Sequence, residues 1–272
     1  RRNCATVPSH SCSLVSGKEA SEGQFVSTVS LASSLNLCGG TLINSDTFIT
    51  AARCVVGANN IPIKASAFTI RARSLQNGLG GITSAVSQVI PRSYYNASTP
   101  DNDLAILKVT TPIANGDTIG HAPLPASGSD PDGTVSAKYL LTALQKGLTE
   151  GSVATALPCI SVPVVLHDEC PSIYSNFEEA VVTDDMFYAG TGEDCKNACP
   201  GDSDGPAFGG DGTLLGVVSW RWWGCAAGFP GVYARVSSYI DWLDQHLRRE
   251  RYELLKNEIF SEDISVTKLG ML

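Results

Sequence analysis

The chain predicts an all-β fold, built as barrels or a sandwich and followed by one C-terminal helix. Short runs of β-branched and aromatic residues recur from about Gln24 to Val236, separated by Gly, Ser, Asn and Pro turns. No helical pattern interrupts them, which favours antiparallel barrels or a sandwich over a parallel sheet. The periodicity changes only from about Ser237 to Asn257. There Ile240, Leu243, Leu247 and Leu254 recur at helical spacing with charges between them.

In chain order, the clearest strands are Phe25–Leu31, Phe68–Ser74, Leu104–Val109, Tyr139–Leu144, Ile160–Leu166 and Leu214–Arg221. A length of 272 residues with 43 % hydrophobic content suffices for one large β unit or two small domains, each with a real core. No internal repeat or low-complexity tract occurs, and residues 258–272 read as a loose tail.

The net charge is −8 and the sequence pI is near 5.0. A diffuse acidic balance argues against nucleic acid and anionic membranes as partners, since both need a basic face. No run approaches the ~18 apolar residues of a membrane span. Arg1 is not followed by the apolar stretch of a signal peptide, so a secreted chain would have lost its signal upstream of this start. The nine cysteines are Cys4, Cys12, Cys38, Cys54, Cys159, Cys170, Cys195, Cys199 and Cys225. Their spacing matches no zinc site, so neither a metal nor another cofactor is expected. Scattered cysteines in a turn-rich chain read as disulfides formed in an oxidising compartment. The odd count leaves at least one thiol unpaired or paired outside the chain. Asn96-Ala97-Ser98 is an acceptor triplet for N-glycosylation, consistent with that compartment.

Three segments carry a family signature in order: Cys38-Gly-Gly-Thr-Leu-Ile through Phe48-Ile-Thr-Ala-Ala-Arg-Cys54, then Asp101-Asn-Asp-Leu-Ala-Ile-Leu107, then Gly201-Asp-Ser-Asp-Gly-Pro206 followed by Val218-Ser-Trp220 and Pro230-Gly-Val-Tyr233. Together they resemble a chymotrypsin-type (trypsin-like) serine protease. The resemblance divides the chain into an N-terminal segment 1–13, a protease-homology domain 14–247 and a C-terminal extension 248–272. It implies two packed six-stranded antiparallel β-barrels with a cleft between them and a C-terminal α-helix. It also implies disulfides Cys38–Cys54 and Cys199–Cys225. The family partner of Cys170 would fall at Tyr188, and Cys195 is a candidate substitute. Cys159 would then reach Cys12 or Cys4.

Peptide hydrolysis on such a scaffold needs a base that takes the proton of the nucleophilic serine and returns it to the leaving amine. The resemblance places that base, a histidine, where this chain has Arg53. A guanidinium stays protonated and has no acceptor lone pair, so it cannot serve. Losing the base of a triad costs on the order of 10⁶ in turnover. His10, His121, His167 and His246 all lie outside the motifs. Asp103 and Ser203 occupy the other two triad positions, as an acid that Arg53 could pair and an alcohol without activation.

The surroundings depart from the pattern as well. Asp204 follows Ser203 where the family has glycine, placing a charge beside the oxyanion-hole remnant of Gly201 and Ser203. Pro200 restricts the same loop, and the family's Gly-Trp-Gly turn is missing near Ala143-Leu144-Gln145. The specificity pocket would comprise Asn197 at its floor, Arg221 at a wall normally glycine, and Gly231. Activation would require a cut before Leu14-Val-Ser-Gly17, but Ser13 precedes Leu14 and no Arg or Lys lies between Arg2 and Lys18. Asp202 would then lack the new ammonium that family members use as its partner.

Three classes of function follow. The first is a secreted, monomeric pseudoprotease that binds a protein, plausibly a secreted hydrolase, as inhibitor or decoy. The second is a residual endopeptidase with an atypical triad. The third is a structural or storage protein. Retention of a rigid frame with variable loops favours the first. Its binding surface is expected around the dead cleft, at Trp222, Trp223, Tyr94 and Tyr95, because large, stiff rings anchor interfaces. A broken triad on a Ser/Ala-rich trypsin domain also resembles the glucanase inhibitor proteins of oomycetes, which bind plant endo-β-1,3-glucanases and shield the pathogen wall. Insect clip-type serine protease homologues are the competing resemblance, and no clip domain is visible in this sequence.

Overall fold

The computed structural model describes residues 18–19, 25–33, 37–57, 60–74, 80–96, 100–138, 158–165, 182–190, 205–220 and 230–247. Six strands close a first barrel: β2 (Thr28–Ala32), β3 (Leu37–Leu42), β4 (Thr47–Thr50), β5 (Thr69–Ala72), β6 (Ile82–Pro91) and β7 (Ala105–Val109). Their order around the ring is β2-β3-β4-β7-β6-β5, all antiparallel. A second ring uses β8 (Thr134–Lys138), β9 (Pro158–Val165), β10 (Met186–Ala189), β11 (Pro206–Phe208), β12 (Leu214–Trp220) and β13 (Gly231–Arg235). Pairing of β8 with both β9 and β11 closes it, and the short β1 (Lys18–Glu19) adds to β9. The expected pair of six-stranded barrels is therefore present. Closure leaves no open sheet edge in either ring, which removes the hazard of unpaired strands.

Side-chain alternation fills the first barrel. Val29 and Leu31 of β2 point inward, between the half-buried Thr28 and Ser30. They meet Leu42, Phe48, Ile49, Ile70 and Ile106, all fully buried. Gly40 of the Cys38-Gly-Gly motif has a packing reason. A Cβ there would lie 2.4 Å from both the Ile49 carbonyl oxygen and the Phe48 ring. The second barrel packs Val135, Val162, Phe187, Ala207 and Tyr233, with the Phe187 and Tyr233 rings stacked at 5.1 Å. Gly216 leaves room for that stack, since a Cβ would come within 2.5 Å of the Phe187 ring.

The chain then returns to the first barrel. A 3-10 turn, Val236–Tyr239, leads into a helix whose described part is 240–247. Tyr239, Trp242 and Leu243 are buried in the same core cluster as the first barrel, with Ile240 packed beside them. The helix predicted from periodicity is thus present, with Leu243 buried and Ile240 packed on the core as expected, and Trp242 joining that face. Its predicted continuation to Asn257, including Leu254, lies outside the described residues.

One strand expectation, Tyr139–Leu144, lies outside the described residues, and the described strand nearest to it is β8, at Thr134–Lys138. The ten-residue β6 was not singled out. Its inward positions include Ser84, whose Oγ donates to the Thr111 carbonyl at 3.0 Å and accepts the Thr111 N–H at 3.0 Å. A buried hydroxyl satisfied in this way breaks the apolar alternation that marks a strand.

Candidate functional site

Arg53 sits in a 3-10 turn, Ala52–Cys54, directly after β4. Two features fix that turn. Ala51 and Ala52 are fully buried, so nothing larger fits, and Cys54 is bonded to Cys38 on β3. The expected Cys38–Cys54 disulfide is therefore observed, with a Cα–Cα distance of 6.3 Å.

Asp103 enters from the loop before β7. Asn102 takes a left-handed φ of 58°, which asparagine tolerates better than most residues. Asp101 steadies the bend: its Oδ1 accepts the Asn102 N–H at 3.0 Å and the Thr183 hydroxyl, from the second-barrel side, at 3.1 Å. The Asp103 side chain is 1 % exposed.

A carboxylate buried this deeply requires donors, and among the described residues it has three. The Arg53 backbone N–H donates to Oδ1 at 3.0 Å, the Arg53 guanidinium Nη1 donates to Oδ2, and the Ser219 hydroxyl donates to Oδ2 at 2.7 Å. The other end of the guanidinium donates from Nη2 to the Val218 carbonyl at 2.7 Å. Arg53 thus links Asp103 of the first barrel to β12 of the second. The sequence reading anticipated the Arg53–Asp103 pair. The parts of Ser219 and the Val218 carbonyl were not assigned. Ser219 had a signal in the Val218-Ser-Trp220 motif, whereas a backbone carbonyl leaves none.

This arrangement defines the chemistry open to residue 53. Its guanidinium is charged, carries only donors, and has them turned onto a carboxylate and a carbonyl. It can hold the acid of a triad in place. It cannot accept a proton from a serine.

The remaining predicted positions divide into two groups. Ser203, Gly201, Asn197, Arg221, Trp222, Trp223, Cys199 and Cys225 lie outside the described residues. Among the others, Gly231 is buried at the start of β13, opposite Ala189 of β10. Tyr188, where the family partner of Cys170 would stand, is buried in β10, and burial pushes its phenol upward. Tyr94 is 90 % exposed. Tyr95, also expected at a binding surface, packs half-buried against the first-barrel core. The reason is local: the Tyr95 N–H donates to the Arg92 carbonyl at 3.3 Å, closing a turn that leaves Tyr94 at its tip. Asn96 is exposed, and its Oδ1 accepts from Asn60 Nδ2 at 3.4 Å. Among the described residues no group of three or more His, Cys, Asp or Glu side chains could hold a metal ion, and no helix is long and apolar enough to cross a membrane.

Comparison with known proteins places these features in a family. The Trypsin family profile matches residues 14–243. The trypsin Blo t 3 of Blomia tropicalis is 38 % identical over 236 residues, covering 85 % of this chain and 84 % of its own length. Cationic trypsin-3 of Rattus norvegicus is 32 % identical, covering 85 % and 88 %. Among solved structures, the scabies mite inactivated protease paralogue S-D1 superposes with a TM-score of 0.74 at 26 % identity, covering 85 % of this chain and 96 % of that one. The profile, the relatives and the two closed barrels agree: the chain belongs to the trypsin family.

Proposed function

We propose that this chain is a trypsin-family protein without peptidase activity, which acts by binding another protein. One observation carries the reading: the guanidinium of Arg53 occupies Asp103 in the place where a catalytic base would stand. The likeness to a scabies mite protease paralogue described as inactivated supports it. So do the sequence departures at Asp204, Asn197 and Arg221. Secretion belongs to the same reading, supported by the Cys38–Cys54 bridge and by the scattered cysteines.

The binding surface is the set of loops around the cleft, with Arg221, Trp222 and Trp223 as anchors; the partner is a secreted protein and the chain a monomer. A secreted hydrolase, such as a β-1,3-glucanase, is the narrower candidate, resting on the resemblance to glucanase inhibitor proteins. The trypsin names of the other relatives favour a second reading, a residual endopeptidase using a base other than residue 53.

Hydrolysis of fluorogenic amides ending in Arg, Lys, Phe or Leu separates the two. The purified protein and its Ser203→Ala variant are expected to be indistinguishable from buffer. Steady turnover that Ser203→Ala abolishes would establish the endopeptidase instead.

A further inference from the structure

The first barrel carries an exposed aromatic ring that its own backbone does not favour. Tyr94 sits at the tip of the turn closed between Arg92 and Tyr95, with a left-handed φ of 68° and 90 % of its surface open to water. Glycine or asparagine normally fills such a position, because a larger side chain crowds the backbone there. A tyrosine held in that conformation, with its ring in solvent, points to a function for the ring. Two residues later stands Asn96, itself exposed and the acceptor of the triplet Asn96-Ala97-Ser98.

We propose that Asn96 carries an N-linked oligosaccharide whose first N-acetylglucosamine packs on the Tyr94 ring. The inference rests on the reading of the chain as secreted, and it goes beyond that reading by assigning a modification site and the platform that orders it. The chemistry fits the contacts at Asn96. Attachment uses Nδ2: a bond forms from that nitrogen to C1 of the sugar, and the bond from C1 to the diphosphate of a lipid-linked donor breaks. The amide proton passes to a base of the host transferase. Oδ1 keeps its lone pairs, so the hydrogen bond from Asn60 Nδ2, 3.4 Å in length, survives the modification and holds the acceptor against the neighbouring loop. The apolar face of a pyranose stacks on an aromatic ring for the reason aromatic rings stack on one another: C–H edges meet the negative π face as water is displaced. The ring then belongs to the glycan and not to a protein partner.

Expression in a eukaryotic secretory host tests both parts. Intact mass before and after peptide-N-glycosidase treatment is expected to reveal one glycan, lost in Asn96→Gln. Enzymatic removal of the glycan is expected to lower Tm by about 2–4 °C in the parent protein, which corresponds to a contact worth about 1 kcal/mol in a domain of this size. In Tyr94→Ala the same removal should leave Tm unchanged. A protein recovered folded from the medium but bare at Asn96 would overturn the site. Equal Tm losses with and without Tyr94 would overturn the platform. Neither result bears on proteolysis. Failure of the secreted reading registers separately, as localisation of the native protein inside its own cells.

Discussion

Among the described residues Asp103 is held by three donors from two barrels, and Arg53 provides two of them. Removing the guanidinium leaves a carboxylate 1 % exposed with a backbone N–H and one hydroxyl. Breaking a fully buried pair in this way costs about 3–5 kcal/mol. The Arg53 side chain is 25 % exposed, so water screens part of the loss, and Arg53→Ala is expected to cost about 2–3 kcal/mol. Arg53→His should cost only about 1 kcal/mol, because an imidazole N–H can still donate to Asp103 and only the bond to the Val218 carbonyl is lost. Urea unfolding midpoints check the pair: equal losses for the two variants would mean that the imidazole N–H does not replace the guanidinium as a donor to the carboxylate. At this scale the sequence was informative where function had left a motif. Arg53 and Asp103 stood in recognisable frames, and so did the bridge between Cys38 and Cys54. Tyr94 and Tyr95 look alike in sequence, although the first is exposed and the second is half-buried on the core. The local turn at Arg92 decides between them.

The C-terminal helix presents the same logic one level up. Its first turn sets Tyr239 and Trp242 against the Arg92 guanidinium, which lies 5.9 Å and 5.7 Å from the two ring centres. Burial, reinforced by the charges of Asp185 and Asp101, pushes the Tyr239 phenol well above its usual range. The unfolded chain ionises this group near pH ~10 while the folded one keeps it neutral. The folded state therefore binds more protons there, and stability that is intact below pH ~10 falls as pH rises further. Tyr239→Phe is expected to flatten the alkaline decline in Tm between about pH 10 and 11.5. An unchanged slope would assign the decline to other groups, such as the buried Tyr188. Elements were legible where apolar spacing was regular. The helix announced itself through Ile240, Leu243 and Leu247, and β12 through Leu214, Val217 and Val218. β6 did not, because Ser84 sits inward on a satisfied hydroxyl. β7 also hides a charge: Lys108 is buried, with its Nζ donating to Thr47 Oγ1 at 2.6 Å on the paired strand β4.

Across the whole molecule, the candidate site is a junction. Thr183 meets Asp101, Ser219 meets Asp103, and Arg53 meets Val218, so each contact ties a first-barrel loop to the second barrel. The helix adds a further tie by packing on the first-barrel core. Local periodicity reached only as far as barrels or a sandwich, because ring closure depends on pairings between distant strands such as β8 with β9 and β2 with β5. The order and spacing of the family motifs supplied what periodicity could not. The same distributed construction decides what one reverse substitution can achieve. Arg53→His restores an imidazole next to Asp103. On the proposed reading it leaves in place the other departures, Asp204 after Ser203, Arg221 after Trp220 and the lack of Arg or Lys just before Leu14. On that reading an oxyanion-hole donor alone is worth about 10²–10³ in turnover, and groups that act as a unit lose their effects together, so a base restored without the others recovers little of its own contribution. Arg53→His is therefore expected to show no amide hydrolysis above the Ser203→Ala control. Adding Asp204→Gly and Arg221→Gly, with a basic residue in place of Ser13 and tryptic cleavage after it, should bring activity back in steps. If Arg53→His alone turned over peptide amides at rates comparable to those of an active trypsin, residue 53 would be the whole of the lesion and the rest of the cleft would be intact.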